Sequence, residues 1–212
     1  MIRAAGLETA SSPDPTPYCR SLQGRTTLNE VEQPELHMVD AAGFVHWIDE
    51  AISVYAVAMR APSEQLPGRR AIANQHTSHD GFRCLLAVEN GELVGFGYGF
   101  RGETGQWWHD IVMEMLVSTL GAEKAKRWFD DPFEIAEVHV RPNHQGRGTG
   151  RRILTALCAG RTERTAVLST QDVKSRARGL YRSLGFVDLL TDFRFPGSDQ
   201  AYAVMGCSLP LA

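Results

Sequence analysis

The chain has no apolar run approaching the ~18 residues that would suggest a membrane span, so a membrane is not expected among its partners. It has no excess of positive charge: 22 Lys plus Arg stand against 25 Asp plus Glu, a formal net charge of -3. A dedicated nucleic-acid binder is usually basic with clustered Lys and Arg, so nucleic acid is not expected either. Cysteine is scarce, with only Cys19, Cys84, Cys158 and Cys207, and no pair is spaced CxxC. That pattern argues against a disulfide framework and against a structural zinc site, and it leaves reduced thiols in a cytoplasmic protein. Met1 to Pro17 holds one Arg and no apolar core, so no secretory signal is expected there. Internal repeats and low-complexity tracts are also missing. What remains is a composition of 43% hydrophobic and 22% charged residues over 212 positions, enough for one domain with a sizeable core.

Residues 1–22 read as a loose N-terminal arm, because Ala10 to Pro17 is polar and carries three prolines. Residues 23–212 read as one domain with a helical insertion at about 101–132. A first strand is expected at Arg25–Val31. Phe44, Trp47, Ile48, Ile52 and Tyr55 recur at helical steps and predict a helix over Phe44–Met59, ended by Pro62. A weaker helix is expected at Arg69–Gln75. Cys84–Val88, then Asn90-Gly91, then Leu93–Phe100 predict a hairpin, since both centres of a type I′ turn need positive φ. In the return strand Gly95, Gly97 and Gly99 share one face and Phe96, Tyr98 and Phe100 the other. Such glycines imply close approach, either of a helix or of a ligand.

Helices are expected at Trp107–Thr119 and Ala122–Trp128, then a strand at Glu134–Val140. A helix carrying Ile153, Leu154, Leu157 and Cys158 follows, then a strand at Thr165–Ser169. Ser175–Leu184 is predicted helical and closed by Gly185. Phe186–Leu190 and Ala201–Gly206 complete the strands.

The chemistry concentrates in Val138-His-Val-Arg-Pro-Asn-His-Gln-Gly-Arg-Gly-Thr-Gly150, where a strand runs into a loop with three glycines in five positions and then into Arg151-Arg152. Unpaired N–H groups at a helix N-terminus, the helix dipole and arginines together make an anion cradle, suited to a pyrophosphate. It is not a Walker A loop, since no Gly-Lys-Ser/Thr follows. It is not a dinucleotide fingerprint either, because Arg151 stands where the third glycine would be.

Gln145-Gly-Arg-Gly-Thr-Gly150 resembles the Gln/Arg-x-x-Gly-x-Gly/Ala signature of the GCN5-related N-acetyltransferase (GNAT) superfamily. Glu134-Ile-Ala-Glu-Val-His-Val-Arg-Pro142 is similar to that family's fourth strand, and Ala177-Arg-Gly-Leu-Tyr-Arg-Ser-Leu-Gly-Phe186 to its Ala-x-x-Leu-Tyr-x-x-x-Gly-Phe segment. The resemblance covers about Phe44 to Met205. It implies a mixed, mostly antiparallel α/β sheet, splayed at a central notch with flanking helices, and acetyl-CoA as cosubstrate. It implies direct acetyl transfer to a primary amine of a small molecule or a protein, with a homodimer left open. A non-catalytic acyl-CoA-binding module on the same fold is the alternative reading.

By that resemblance Val138, His139 and Val140 would offer backbone to the pantetheine arm. Gln145, Gly146, Arg147, Gly148, Thr149 and Gly150 would hold the pyrophosphate, with Arg151 adding charge. An amine attacks only when neutral, which calls for a base. Glu134, eleven residues before Gln145, is one candidate, and Glu137 is the other. Simple strand alternation puts them on opposite faces unless a bulge intervenes. Tyr181 matches the family's tyrosine that protonates the leaving thiolate. Lys174 stands where the family often has Asn, and it could reach a CoA phosphate. Within the insertion, Trp107 and Trp108 offer apolar surface to an acceptor, and Glu103, Asp110 and Glu114 could attract its ammonium. His76 and His79 form an HxxH read as surface histidines rather than metal ligands, and the side chains of His139 and His144 as structural or peripheral.

Overall fold

A computed structural model describes residues 33–211. Those residues build a seven-stranded sheet in the order β1-β2-β3-β4-β5-β7-β6. The strands are β1 Glu35–Val39, β2 Arg83–Glu89, β3 Glu92–Arg101, β4 Pro132–Val140, β5 Thr165–Gln171, β6 Val187–Phe193 and β7 Tyr202–Ser208. All neighbours are antiparallel except β4 and β5. The expected arm, Cys19 and the expected strand at Arg25–Val31 lie outside the described residues. The first described strand is β1, whose five residues leave only Leu36 and Val39 partly buried, too little apolar pattern to announce a strand.

Helices follow the predicted periodicities with one break. The expected helix at Phe44–Met59 is two helices, α1 Ala41–His46 and α2 Ile48–Met59, joined at Trp47 with φ -104° and ψ 6°. Asp40 starts α1, its carboxylate accepting from the Gly43 N–H at 2.8 Å, as a good N-cap does. Arg60 in the left-handed conformation stops α2 before Pro62. α3 spans Leu66–His76, α4 Trp107–Leu120, α5 Ala122–Phe129, α6 Thr149–Cys158 and α7 Arg176–Ser183. Asn90 and Gly91 turn the β2–β3 hairpin with φ of 53° and 79°, as a type I′ turn requires.

Alternation along β3 sorts the core into layers. Phe96, Tyr98 and Phe100 pack with Phe44, Ile48, Val54 and Tyr55 of α1 and α2. On the other face, Ile153, Leu154 and Leu157 of α6 and Tyr181 of α7 pack with Ile135, Val140, Leu168 and Met205. The glycine row of β3 faces α6: a Cβ on Gly97 would meet Ile153 Cγ2 at 2.7 Å. At Gly99 the intruders would be the Glu134 carbonyl at 2.4 Å and the Phe133 ring at 2.6 Å. A close-packed helix and strand, rather than a ligand, are what demand these glycines. α4 and α5 cover Val167, Val204, Leu189 and Leu190 on the C-terminal half of the sheet.

Two irregularities shape the centre. β4 pairs with β5 only through Pro132↔Thr165, Phe133↔Ala166 and Glu134↔Val167. Beyond that point β4 stays with β3 as far as Val140, and β5 stays with β7 as far as Gln171, so the two central strands part. β4 also bulges at Ala136: Gly99 faces Ile135, but Tyr98 faces Glu137. One extra residue shifts the side-chain parity by one.

Candidate active site

The bulge corrects the expectation that Glu134 and Glu137 lie on opposite faces. Glu134 is opposite Phe100 and Glu137 opposite Tyr98, and these two β3 residues share a face. Both carboxylates therefore sit on the side covered by α1 to α5, at the place where β4 leaves β5. Simple alternation fails because Ala136 is a residue without a partner on β3.

Their surroundings differ. Glu134 is 3% exposed and lies under α4, where His109 Nδ1 is 2.8 Å from its Oε1. His109 packs in turn on Phe129 of α5. Gly102 makes room for the carboxylate, since a Cβ there would lie 2.3 Å from Glu134 Oε1. Burial raises the Glu134 carboxyl above its ordinary value, and the hydrogen bond from His109 opposes the rise without cancelling it. Glu137 has both oxygens engaged: Arg69 of α3 donates to Oε1 at 2.8 Å, and His139 Nε2 is 2.5 Å from Oε2. Burial pushes this carboxyl up, but the hydrogen bond from His139 and the charges of His139 and Arg69 outweigh it and hold it low. Tyr55 closes the cluster, with His139 edge-on and the Arg69 guanidinium 4.8 Å above its ring.

Tyr181 is 8% exposed on the opposite face and packs on Phe186 at 5.9 Å. Burial, together with the Glu137 charge, pushes its phenol up to about 12, so it carries its proton throughout the neutral range.

At the other end of the parted strands lies the glycine loop. Gly146 and Gly148 have φ of 77° and 89°, and a Cβ on either would meet nothing within 4 Å, so the space beside both is open. Gly150 differs, because its Cβ would press on Leu180 at 3.3 Å, which makes it a packing glycine. Gly148 caps α6 with no side-chain hydrogen bond, leaving the first N–H groups of a ten-residue helix free. Thr149 is 1% exposed, and its Oγ1 has no partner among the described residues. Arg147 is exposed beside it, and Lys174 is exposed just before the α7 cap Ser175.

Other predicted groups are already engaged. Gln145 donates to the Val140 carbonyl at 2.9 Å, and Arg151 donates to Ser183 at 2.6 Å. Arg152 reaches the Pro34 carbonyl at 2.7 Å. These side chains hold the loop, while Arg147, Thr149 and the backbone N–H groups are free to meet an anion. Val138 to Val140 lie on the stretch of β4 that has no β5 partner, so one backbone edge is open there.

In the insertion, Trp108 donates to Ser169 Oγ at 3.1 Å and stacks on Phe129, placing it at the β5 wall of the gap. Trp107 is 61% exposed and leans on Phe195, and Glu114 is exposed on the outer side of α4. The structure thus brings Trp108 to the gap and turns Trp107 toward the β6–β7 link. His76 and His79, expected at the surface, are half-buried, 5.8 Å apart and packed on Phe100, and no cluster of three potential ligands occurs among the described residues. Cys84, Cys158 and Cys207 are buried thiols raised by burial.

Sequence reasoning missed Arg69 and His109. Arg69 is 68 residues from Glu137 and His109 is 25 from Glu134, so only the fold makes them neighbours.

The family model for the acetyltransferase (GNAT) domain matches residues 80–188, which span β2, the parted strands, the glycine loop and α7. The chain belongs to the GNAT acetyltransferase family. A Mycobacterium tuberculosis protein, GCN5-like protein acetyltransferase Rv2170, is 32% identical over 190 residues, covering 77% of this chain and 92% of that one. Among solved GNAT structures, ribosomal-protein-alanine N-acetyltransferase from Brucella melitensis has 18% identity and a TM-score of 0.55, over 82% of this chain and 99% of that chain. The yncA protein of Salmonella typhimurium, solved with its cofactor acetyl-CoA, has 19% identity and a TM-score of 0.53, over 84% and 95%. As a GNAT member the protein is an acetyl-CoA-dependent N-acetyltransferase, with acetyl-CoA as its cosubstrate. The orphaned Thr149 Oγ1, the free α6 N–H groups and the open space beside Gly146 and Gly148 fit the pyrophosphate of such a molecule.

Proposed function

We propose that the acceptor is a primary amine, and a protein amine in preference to a small molecule. The name of the M. tuberculosis relative, a protein acetyltransferase, supports the second part. The observation that carries the reading is the gap between β4 and β5, with Glu134 at its closed end and the Gly146–Gly150 loop at its mouth.

Acetyl-CoA supplies an activated acetyl thioester. Gly146, Arg147, Gly148, Thr149 and Gly150 would hold its pyrophosphate, the open edge of Val138–Val140 would receive its pantetheine arm, and the exposed Lys174 would be offered to a CoA phosphate. Glu134 takes the ammonium proton, directly or through a water. Its second oxygen, Oε2, has no hydrogen bond among the described residues, and a raised carboxyl is the better base of the two. The neutral nitrogen then bonds to the acyl carbon as the carbon–sulfur bond breaks. Tyr181 gives its proton to the departing sulfur. Glu137, held by Arg69 and His139, stays ionised and favours an approaching cation. Trp108 forms the acceptor wall on the β5 side.

The test is thiol release from acetyl-CoA across lysine peptides, N-terminal peptides, polyamines and aminoglycosides. Turnover on a peptide amine, reduced about 10²–10⁴-fold in Glu134→Gln, is the expected result. Tyr181→Phe should lower kcat and kcat/KM together while CoA affinity holds. CoA binding with no turnover on any of these amines overturns the reading and favours a non-catalytic module.

A further inference from the structure

Glu134 is a poor candidate for a freely tumbling base, because its environment has been built around it. Gly102 leaves no room for any side chain beside the carboxylate, Phe100 and Val167 are the register partners of Glu134 on β3 and β5, and Phe129 packs on His109. Among the described residues one polar side chain touches it: His109, itself 5% exposed, on the helix that runs between β3 and β4 in sequence. An ionised carboxylate can only accept, so the 2.8 Å contact requires a proton on His109 Nδ1. That donor occupies Oε1 and leaves Oε2 as the oxygen able to take a proton.

We propose that His109 is a positioning residue for the acetyl-transfer reaction: it fixes the Glu134 carboxylate, selects Oε2 as the proton-accepting atom and sets its basicity. The inference rests on Glu134 being the base. It makes α4 part of the proton-transfer apparatus as well as a wall for the acceptor. The charged neighbours are few. From α4 they are His109 and Asp110; the facing residues of β3, β5 and α5 are apolar or glycine, and on β4 Glu137 is turned to Arg69 and His139. Asp110 is itself engaged by the Gly105 N–H at 3.0 and 3.1 Å, which leaves His109 as the group that answers the carboxylate.

Removing the donor leaves the ionised carboxylate buried with no hydrogen bond, so its proton should be held more tightly. A hydrogen bond to a charged group corresponds to an upward shift of about 1–2 pH units. The test is direct titration of the Glu134 side chain by carbon NMR on protein labelled at glutamate, with Glu134→Gln assigning the signal. Wild type is compared with His109→Leu and with His109→Asn, whose amide N–H can replace Nδ1–H. The expected result is a Glu134 midpoint at least one unit higher in H109L and near wild type in H109N. The lower limb of the pH–rate profile on the best amine of the panel should move with it. His109→Met, which carries no N–H or O–H donor, replaces H109L if that variant does not fold. An unmoved midpoint in the donor-less variant overturns the proposal, even if its stability or rate falls, because a purely structural role would do that. Full turnover in E134Q also overturns it, and in that case a shifted midpoint in H109L shows that the base reading failed while the contact itself held.

Discussion

Glu134 and Glu137 are three residues apart on one strand and face the same way, the first buried and the second nearly so, yet they are opposites. Glu134 has one hydrogen-bonding neighbour and an apolar frame, so burial wins and its carboxyl is raised. Glu137 has Arg69 and His139 on its two oxygens, so compensation wins and its carboxyl is lowered. The lesson is that burial alone does not set a carboxylate's chemistry; the number of donors it receives does. One site is poised to take a proton, and the other is a fixed negative charge that also ties α3 to β4.

The largest effect that could break this contrast is on stability. Glu137→Gln strands Arg69 and His139, and losing one partner of a buried pair costs about 3–5 kcal/mol. Arg69 is a third exposed, so roughly 2 kcal/mol is the better expectation, a fall of about 4–8 °C in Tm by calorimetry. A wild-type melting temperature would show that the cluster is ornamental. Gly102→Ala comes next. A Cβ 2.3 Å from Glu134 Oε1 must displace the carboxylate, with about 1–3 kcal/mol of overpacking. Activity should drop at least tenfold while acetyl-CoA still raises Tm. Unchanged kcat would mean that the position of Glu134 does not matter.

Smaller, but opposite in sign, is the effect of Glu134→Gln on stability. A raised carboxyl contributes stability below its unfolded value and loses it as pH rises through the folded value. At neutral pH the charge is therefore a burden, and the variant should melt roughly 2 °C higher than wild type. Below the ordinary carboxyl range the difference should vanish. Glu137, being lowered, contributes stability above its unfolded value and loses it as pH falls through the folded one, so its variant should approach wild type only in acid. Parallel Tm–pH curves for E134Q and E137Q would remove the distinction.

The last expected effect is on the acid limb of the stability curve and belongs to His76, which lies beside the Glu137 cluster with Nδ1 3.1 Å from the Tyr98 hydroxyl. Burial first, then the His79 charge, lower it from 6.5 to about 4. Its contribution is complete above 6.5 and fades as pH falls toward 4, because the unfolded chain takes up the proton first. His76→Gln should flatten the loss of Tm between these values. An identical slope would place the acid sensitivity elsewhere.

The glycine turn and most helices and strands in chain order were legible in residues alone. Gly146 and Gly148 need positive φ, Asn90-Gly91 needs it twice, and the apolar stripes of α2, α4, α6 and α7 repeat at helical steps; these are local requirements, written in neighbouring letters. β1 was not legible, since five edge residues with two half-buried side chains carry little pattern. What the glycines of β3 were for could not be read either: the same residue type serves open space at Gly148 and a pressed helix at Gly97, and only the packing partner tells them apart. The relation of Glu134 to Glu137 was decided by tertiary structure, because one bulged residue at Ala136 reverses the side-chain parity, and bulges answer to the pairing strand rather than to the bulged one. So were the partners that separate their chemistry, Arg69 and His109, since electrostatics acts through space and the chain brings these groups together from far along its length.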